Sequence, residues 1–422
     1  MSSAPWAVWG IIVLAIAGVA FRPFAWPEYI WAVAGATILV LARLISPVDA
    51  LSGVAKGTDV YLFLAGMMLL AEVARLEGLF DWLAAHAAQR ANGSATRLFA
   101  LIFAVGTMVT IFLSNDATAV VLTPAVAAVM RAAKAEKPLP YLFVCAFIAN
   151  AASFVLPISN PANLVVYASD MPPLLQWMAR YELASILAIG ATYVVLRWAL
   201  RESLMQTVSS DIDAPELRSS GKIAACGIAG TALVLLTASA FQMQLGMPTF
   251  IAGVVTLVLV LPRSTHGARE VVGDISWEVL PLVAGLFVLV EALEKSGAVT
   301  DCAAMLRDLV AYAPMLAPWA AGAIIAMVCD IVNNLPAGLI AHPVLDAAKA
   351  SDSIRSIALI AVDLGPNLSV TGSLATILWL AALRRDGHHV SGWTFLKLGA
   401  MVMPPALLLA IAGALAVNHL VK

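Results

Sequence analysis

Charge is what this sequence has least of. Of its 422 residues, 12% are Asp, Glu, Lys or Arg, about half the share of a soluble domain. That excludes a water-soluble globular chain, because 62% of the residues are hydrophobic and the mean hydropathy is +0.92. A net charge of −2 leaves no basic surface for nucleic acid and no polybasic membrane anchor. Cysteine is scarce too. Cys145, Cys226, Cys302 and Cys329 stand apart with no CxxC pair, which argues against a disulfide framework or a zinc site. No metal ligand set and no cofactor motif is recognisable. A phosphate-binding glycine loop is also missing, so coupling to ATP would require a separate ATPase subunit. The first apolar run, "WAVWGIIVLAIAGVAF", lacks the basic start and small-residue cleavage site of a signal peptide and reads as a membrane helix.

What is present is a succession of apolar runs of about 20 residues, enough to cross a bilayer. Spanning helices are expected near 6–21, 29–46, 60–76, 141–170 and 182–199. A second set is expected near 223–241, 248–262, 278–295, 354–383 and 394–420. Two more stretches, 98–131 and 317–350, carry polar residues at their centres and read as re-entrant hairpins. Segments 141–170 and 354–383 read as broken helices. "LFDWLAAHAAQRA" and "CAAMLRDLVAYA" have the mixed pattern of interfacial helices, and Trp6, Trp9, Trp26 and Trp31 read as interfacial anchors. The expected fold is an all-α polytopic membrane protein of about ten spanning helices plus two re-entrant hairpins.

The polar linker 200–222 separates an N-terminal half, 1–199, from a C-terminal half, 223–422. The halves are related. "FLAGMMLLAEVARLEG" (63–78) aligns without a gap on "LVAGLFVLVEALEKSG" (282–297). Gly66 falls on Gly285, Glu72 on Glu291 and Gly78 on Gly297, and the same offset (334 − 115 = 219) takes Asn115 to Asn334 and Pro124 to Pro343. Such duplication is a mark of secondary transporters. An odd number of crossings per half makes the second repeat inverted. The face richer in Lys and Arg, with Arg131, Lys134, Arg197, Arg201, Arg218 and Lys222, is then cytoplasmic. The linker is expected on that face and tolerant of change, with Ser210 the point at which to probe its sidedness.

The polar breaks are where chemistry is expected. "FLSNDATAVVLTPAV" (112–126) places Ser114, Asn115 and Asp116 in an apolar setting, and "DIVNNLPAGLIAHP" (330–343) repeats the device with Asn333, Asn334 and Pro336. "FVLPISNPANLVVY" (154–167) is interrupted around Ser159, Asn160 and Asn163. "VDLGPNLSVTGSLATILW" (362–379) is interrupted around Asn367, Thr371, Ser373 and Thr376. Irregular backbone at membrane depth is tolerated only where protein or water covers it. Each break frees amides and carbonyls at half-helix ends, so the four together suit a small hydroxylated solute or an ion. Ser114, Asn115, Ser159, Asn160, Asn163, Asn333, Asn334, Asn367, Thr371 and Ser373 are the candidate substrate-binding residues. Asp116, Asp330 and Asp363 are the candidate proton carriers. Two readings stand for Asp116: N-cap of the half-helix that follows, or cap and proton carrier together. Glu72 and Glu291 are expected at helix ends, and His342, Cys145 and Cys329 in structural roles.

At these four breaks the sequence resembles the arsenical pump membrane proteins, the arsenite and antimonite permeases of the ion transporter superfamily. The likeness runs from about residue 60 to about residue 400, and "VNNLP" with "GPNLSVTGSLATILW" is its most specific part. Ser114 stands where that family usually has Asn. The resemblance implies two inverted repeats, each with a hairpin and a broken helix meeting at the substrate site. It also implies a homodimer through scaffold helices, elevator-like movement, and export of arsenite or antimonite against protons across a bacterial inner (plasma) membrane. Arsenous acid is an uncharged trihydroxide near neutrality. Ser, Asn and Thr suit it, and the lack of Lys and Arg at the breaks disfavours a tightly held polyanion. The alternatives are a sodium-coupled citrate or dicarboxylate symporter of the same superfamily, an uncoupled channel or scaffold, and a membrane-embedded enzyme. No nucleophile–base pair at the breaks supports the last of these.

Overall fold

The apolar runs fold into helices and nothing else. The computed structural model describes residues 4–209, 212–213 and 215–420, with no strand among them; Ser210 lies outside the described residues. The first half contains α1 (Ala4–Phe21), α2 (Glu28–Leu41), α3 (Pro47–Lys56), α4 (Thr58–Leu76) and α5 (Leu79–Ala91). It continues with α6 (Ala95–Phe112), α7 (Thr123–Ala132), α8 (Leu139–Ala151), α9 (Pro161–Tyr167) and α10 (Leu174–Ala199). The second half contains α11 (Ser219–Ala240), α12 (Gly246–Val260), α13 (Ala268–Asp274), α14 (Val279–Lys295) and α15 (Ala298–Tyr312). It closes with α16 (Ala317–Val332), α17 (Asn334–Ala347), α18 (Asp352–Leu364), α19 (Leu374–Arg385) and α20 (Gly392–Leu420). Serine caps start several of them. Ser46, Ser94 and Ser351 accept from the amides of Asp49, Arg97 and Ile354.

Helix n of the first half corresponds to helix n + 10 of the second, and the packing survives that exchange. α4 packs on α12 as α14 packs on α2. α6 packs on α8 as α16 on α18, and α9 on α17 as α19 on α7. α10 packs on its own counterpart, α20. This is a pseudo-two-fold arrangement. The duplicated glycines serve it directly. A Cβ on Gly66 would lie 2.5 Å from the Thr249 carbonyl of α12, and one on Gly285 would lie 2.8 Å from the Ala32 backbone of α2. Only glycine allows those two crossings to be so close.

Among the described residues, α6, α10, α11, α12 with its 3-10 extension, and α20 are each long and apolar enough to cross a membrane. α13 and α14 together form a further candidate bent by 41°. α1, α2, α7 with the turn before it, α8 and α16 are shorter apolar helices. Leu233, Ile251 and Val258 are exposed on α11 and α12, as expected of helices facing lipid tails.

The linker corrects one expectation. Leu204, Val208 and Ile212 are buried. Ser209 donates its amide to the Ala133 carbonyl at 2.8 Å, and Val208 donates to Gly93 at 3.3 Å. The Gln206 side chain bonds both the amide and the carbonyl of Lys137, and Gln89 bonds the Ile212 carbonyl. The first part of the linker is therefore clipped across the α5–α6 and α7–α8 turns. Change is expected to be tolerated at exposed positions such as Asp213 and Glu216 rather than along the whole linker, because Leu204, Val208 and Ile212, four residues apart in a nominally polar loop, found a surface to bury.

Candidate functional site

The opening helix α6 stops at Phe112, and Leu113 turns the chain. Ser114 Oγ then accepts from the Ala117 amide at 3.2 Å, and Asn115 Oδ1 accepts from the Asp116 amide at 2.9 Å. Asp116 itself has helical dihedrals (φ −64°, ψ −42°) and no capping bond. The expected cap role of Asp116 is thus corrected. Capping needs a residue just outside the helix, and the helix starts before Asp116. Its carboxylate makes no hydrogen bond or ion pair among the described residues. A π-helical turn, Ala117–Leu122, leads into α7, and Thr118 bonds the Thr110 hydroxyl across the hairpin at 2.8 Å.

The second tip repeats the first. Asn333 lies 219 residues after Ser114 (333 − 114) and likewise caps its helix, its Oδ1 accepting from Leu335 at 3.3 Å. Its φ of 75° is a conformation Asn tolerates better than most residues. The Asn333 side chain also donates to the Thr371 carbonyl at 3.4 Å.

Each tip is tied to a broken helix by one backbone bond. The Asn115 amide donates to the Ser159 carbonyl at 3.0 Å, and the Asn334 amide donates to the Gly372 carbonyl at 2.8 Å. Hydroxyls reinforce both joints. Ser159 Oγ donates to the Ile111 carbonyl at 3.0 Å. Thr371 Oγ1 donates to the carbonyl of Asp330 at 2.9 Å, and the two acceptors are equivalent positions (330 − 219 = 111). Gly372 is needed here, since a Cβ would meet Pro366 Cα at 2.6 Å.

The broken helices are held by buried amides. Asn163 Nδ2 gathers the Ser153, Leu156 and Pro157 carbonyls left free by the first break. Asn160 Oδ1 caps α9 at Ala162, while its Nδ2 donates to Asp363 Oδ1 at 2.8 Å. Asn150 Nδ2 donates to Asn367 Oδ1 at 3.0 Å, and Asn367 Nδ2 donates to the Phe147 carbonyl at 3.0 Å. Asp330 Oδ1 accepts from the amide and hydroxyl of Ser369. Several acceptors remain without a protein partner: Asn150 Oδ1, Asn163 Oδ1, Asp330 Oδ2, Asp363 Oδ2 and Ser373 Oγ.

All ten candidate binding residues and three candidate carboxylates therefore sit in one bonded assembly of two tips and two breaks. They divide by role. Asn160, Asn163 and Asn367 spend most of their hydrogen-bonding capacity on the fold. The Asn334 carboxamide makes no side-chain hydrogen bond among the described residues, and Asn115 keeps its Nδ2 free. The carboxylates break the pseudo-symmetry. Asp116 corresponds to Leu335 (335 − 116 = 219), Asp330 to Ile111, and Asp363 to Asn150 (363 − 150 = 213, the offset that also relates the starts of α8 and α18). No Lys or Arg belongs to any of the four breaks.

Asn150 and Ser369 are bonded members that sequence reasoning missed. Asn150 lies inside an apolar helix with no adjacent Pro or Gly, and only its correspondence to Asp363 signals it. Glu72 and Glu291 lie away from this assembly. Glu291 accepts from Lys56 at 2.6 Å, and Glu72 pairs with Arg75, which reaches Asp274 at 2.8 Å. They fasten α3 and α13, as helix-end residues would. His342 bonds the Val166 carbonyl at 3.1 Å, and Cys145 and Cys329 are buried and unpaired.

A family model described as citrate transporter matches residues 7–364. The chain is 29% identical over 364 residues to an arsenical pump membrane protein of Yersinia enterocolitica, covering 79% of this chain and 81% of that protein. It is 29% identical over 356 residues to an arsenical pump membrane protein of Escherichia coli, with the same two coverages. It is 25% identical over 402 residues to an uncharacterized transporter of Mycobacterium tuberculosis, covering 90% and 91%. These relatives bear out the resemblance read at the four breaks. The YdaH transporter of Alcanivorax borkumensis superposes with a TM-score of 0.56 at 17% identity, covering 88% of this chain and 87% of that one. MtrF of Neisseria gonorrhoeae superposes with a TM-score of 0.55 at 13% identity, covering 90% and 83%. At those identities the likeness is one of fold.

Proposed function

This chain belongs to the citrate transporter family, and on that footing we propose that it is a secondary active exporter of arsenite and antimonite that exchanges them for protons. It is an integral membrane transporter of a bacterial plasma membrane. The observation that carries the finer reading is the composition of the bonded assembly: hydroxyls, carboxamides, half-helix ends and three carboxylates, with no fixed cation. An uncharged trihydroxide both donates and accepts hydrogen bonds, and this lining does the same. The names of the relatives in Yersinia and Escherichia support the substrate class.

In this reading, Asn115, Asn334, Ser114, Asn333 and Ser373 contact the solute, and Asp116 carries the exchanged proton. Asp330 and Asp363 are the next carboxylates in line. Residues 1–199 and 223–422 form repeats inverted across the membrane, the hairpins re-enter, and the tip-and-break assembly moves against α1–α4 and α11–α14 in an elevator-like cycle. A homodimer would form through those scaffold helices, and an ATPase subunit is the partner that could add ATP coupling. The face carrying the linker is cytoplasmic.

A second reading, a sodium-coupled citrate or dicarboxylate symporter, is favoured by the description of the family model. Uptake into everted vesicles separates the two. Arsenite uptake driven by an imposed pH gradient and indifferent to sodium supports export against protons. Sodium-driven uptake of citrate with no metalloid transport supports the second reading.

A further inference from the structure

Beside the assembly lies a crevice of about 600 Å³. One wall is scaffold: Lys56 at the end of α3, Asp59 in α4, and Glu291 and Glu294 in α14. The other wall is α9 and α17, with His342 and Asp346 turned toward it. The crevice reaches toward the second tip. Leu339 lines it and lies five residues after Asn334 (339 − 334), about 7.5 Å along the helix.

Two of the equivalent positions in the first repeat are covered. Thr123 and Ala127 occupy the positions of His342 and Asp346 (342 − 123 = 346 − 127 = 219), and both are buried, at 1% and 2% exposure. The Asp346 side chain is 67% exposed. The charged and titratable side chains at these two positions are thus found on one hairpin only, and they open onto the crevice. The linker is clipped beside the first hairpin, so with the repeats inverted, as proposed above, the crevice opens on the opposite face.

The walls have a sign. Lys56 lies 2.6 Å from Glu291 and 3.3 Å from Glu294, and one ammonium cannot neutralise both. Lys295 stands 3.9 Å from Glu291 but is 2.9 Å from Asp49, outside the crevice. Among the described residues Asp346 has only Arg355 as an ion-pair partner, at 3.7 Å on the rim. Asp59 accepts the Gly246 amide and has no ion-pair partner among the described residues. The crevice is lined by four carboxylates, Asp59, Glu291, Glu294 and Asp346, against Lys56 and the imidazole of His342; Arg355 on the rim and Lys295 from outside each reach one of the four. The neighbouring Arg180–Asp352 pair, at 2.5 Å, closes on itself. A narrow low-dielectric cleft lined by one sign of charge focuses the field and raises the local concentration of counter-charge.

We propose that this crevice is the solute passage on the face opposite the linker and that it sorts by charge, admitting neutral solutes and protons while repelling multivalent anions. The proposal deepens the exporter reading and rests on it. It assigns the exclusion of di- and tri-anions to Glu291, Glu294, Asp346 and Asp59, outside the binding assembly.

The test measures the passage rather than transport. Cys226 and Cys302, both exposed, are replaced by serine, and Ala347, which lines the crevice, by cysteine. Opened membranes are treated with cationic and anionic methanethiosulfonates of similar size. Each rate is normalised to that of a free thiol. The expected normalised preference for the cation is roughly tenfold at low salt, shrinking at high salt and falling toward one in Glu294→Gln/Asp346→Asn. A preference of one or below, or a preference unchanged in the double variant, overturns the proposal. Labelling needs no turnover, so a protein that fails to move arsenite in vesicles yet shows the preference refutes the exporter reading and leaves the charge filter standing.

Discussion

The backbone amide of Asn115 donates to the backbone carbonyl of Ser159 over 3.0 Å, joining the first hairpin tip to the first broken helix. The side chain of Asn115 is thereby held at the joint, as the side chain of Asn334 is by the matching bond to Gly372. Asn115→Ala and Asn334→Ala are expected to lower transport far more than membrane abundance. A lost hydrogen bond to a desolvated solute costs roughly 1–3 kcal/mol, so a tenfold or greater loss of apparent affinity is expected in vesicle uptake. Full activity in both variants would remove these residues from the site.

Asn160 and Asp363 form a buried pair at 2.8 Å. Asp363→Asn retains an acceptor for the Asn160 amide and should fold. Asn160→Ala leaves Asp363 Oδ1 buried without its donor and should lower stability by roughly 1–3 kcal/mol. Thermal unfolding in detergent measures the difference, and equal melting temperatures for Asn160→Ala and the parent would show that the bond contributes nothing.

The clipped linker gives a contrast within a few residues. Val208 is buried and Glu216 is exposed. Val208→Asp should cost about 2 kcal/mol or more from lost apolar burial alone, while Glu216→Ser should be neutral. Expression and melting temperature of the two variants decide it; the reverse order would contradict the clipping.

Glycine at the duplicated crossings should be irreplaceable. A Cβ at Gly66 would lie 2.5 Å from the Thr249 carbonyl, a backbone atom that cannot turn aside. Gly66→Ala and Gly285→Ala should each destabilise by about 1–3 kcal/mol, read as a fall in melting temperature. Gly190 has nothing near its missing Cβ, and Gly190→Ala is the neutral control.

Much of this was legible beforehand because bilayer physics writes large. Long apolar runs, their polar interruptions and a 219-residue offset are one-dimensional signals, and they located the elements and the tips. The roles of single polar residues were less legible. Asp116 reads as a cap because Asp is a good capping residue, yet the cap falls to Ser114 and Asn115, which start the helix earlier. Asn150 was invisible because a lone amide inside an apolar helix has no local signature; its partner, Asn367, is 217 residues away. The burial of Leu204, Val208 and Ile212 likewise depends on turns distant in sequence. The open crevice beside α17 and the packed α7 share one sequence offset, so only the three-dimensional packing distinguishes them.

Asp116, whose carboxylate is unbonded among the described residues in the first turn after the tip, is the proposed carrier of the proton that drives export. Asp116→Asn keeps the size and an acceptor oxygen but cannot release a proton. The direct measurement is arsenite accumulation by everted vesicles under an imposed pH gradient, compared between the parent and Asp116→Asn, with counterflow exchange at equal pH as the measure of intact binding. The variant is expected to retain counterflow and to lose gradient-driven accumulation. Accumulation at the parental rate with an unchanged pH profile would contradict it.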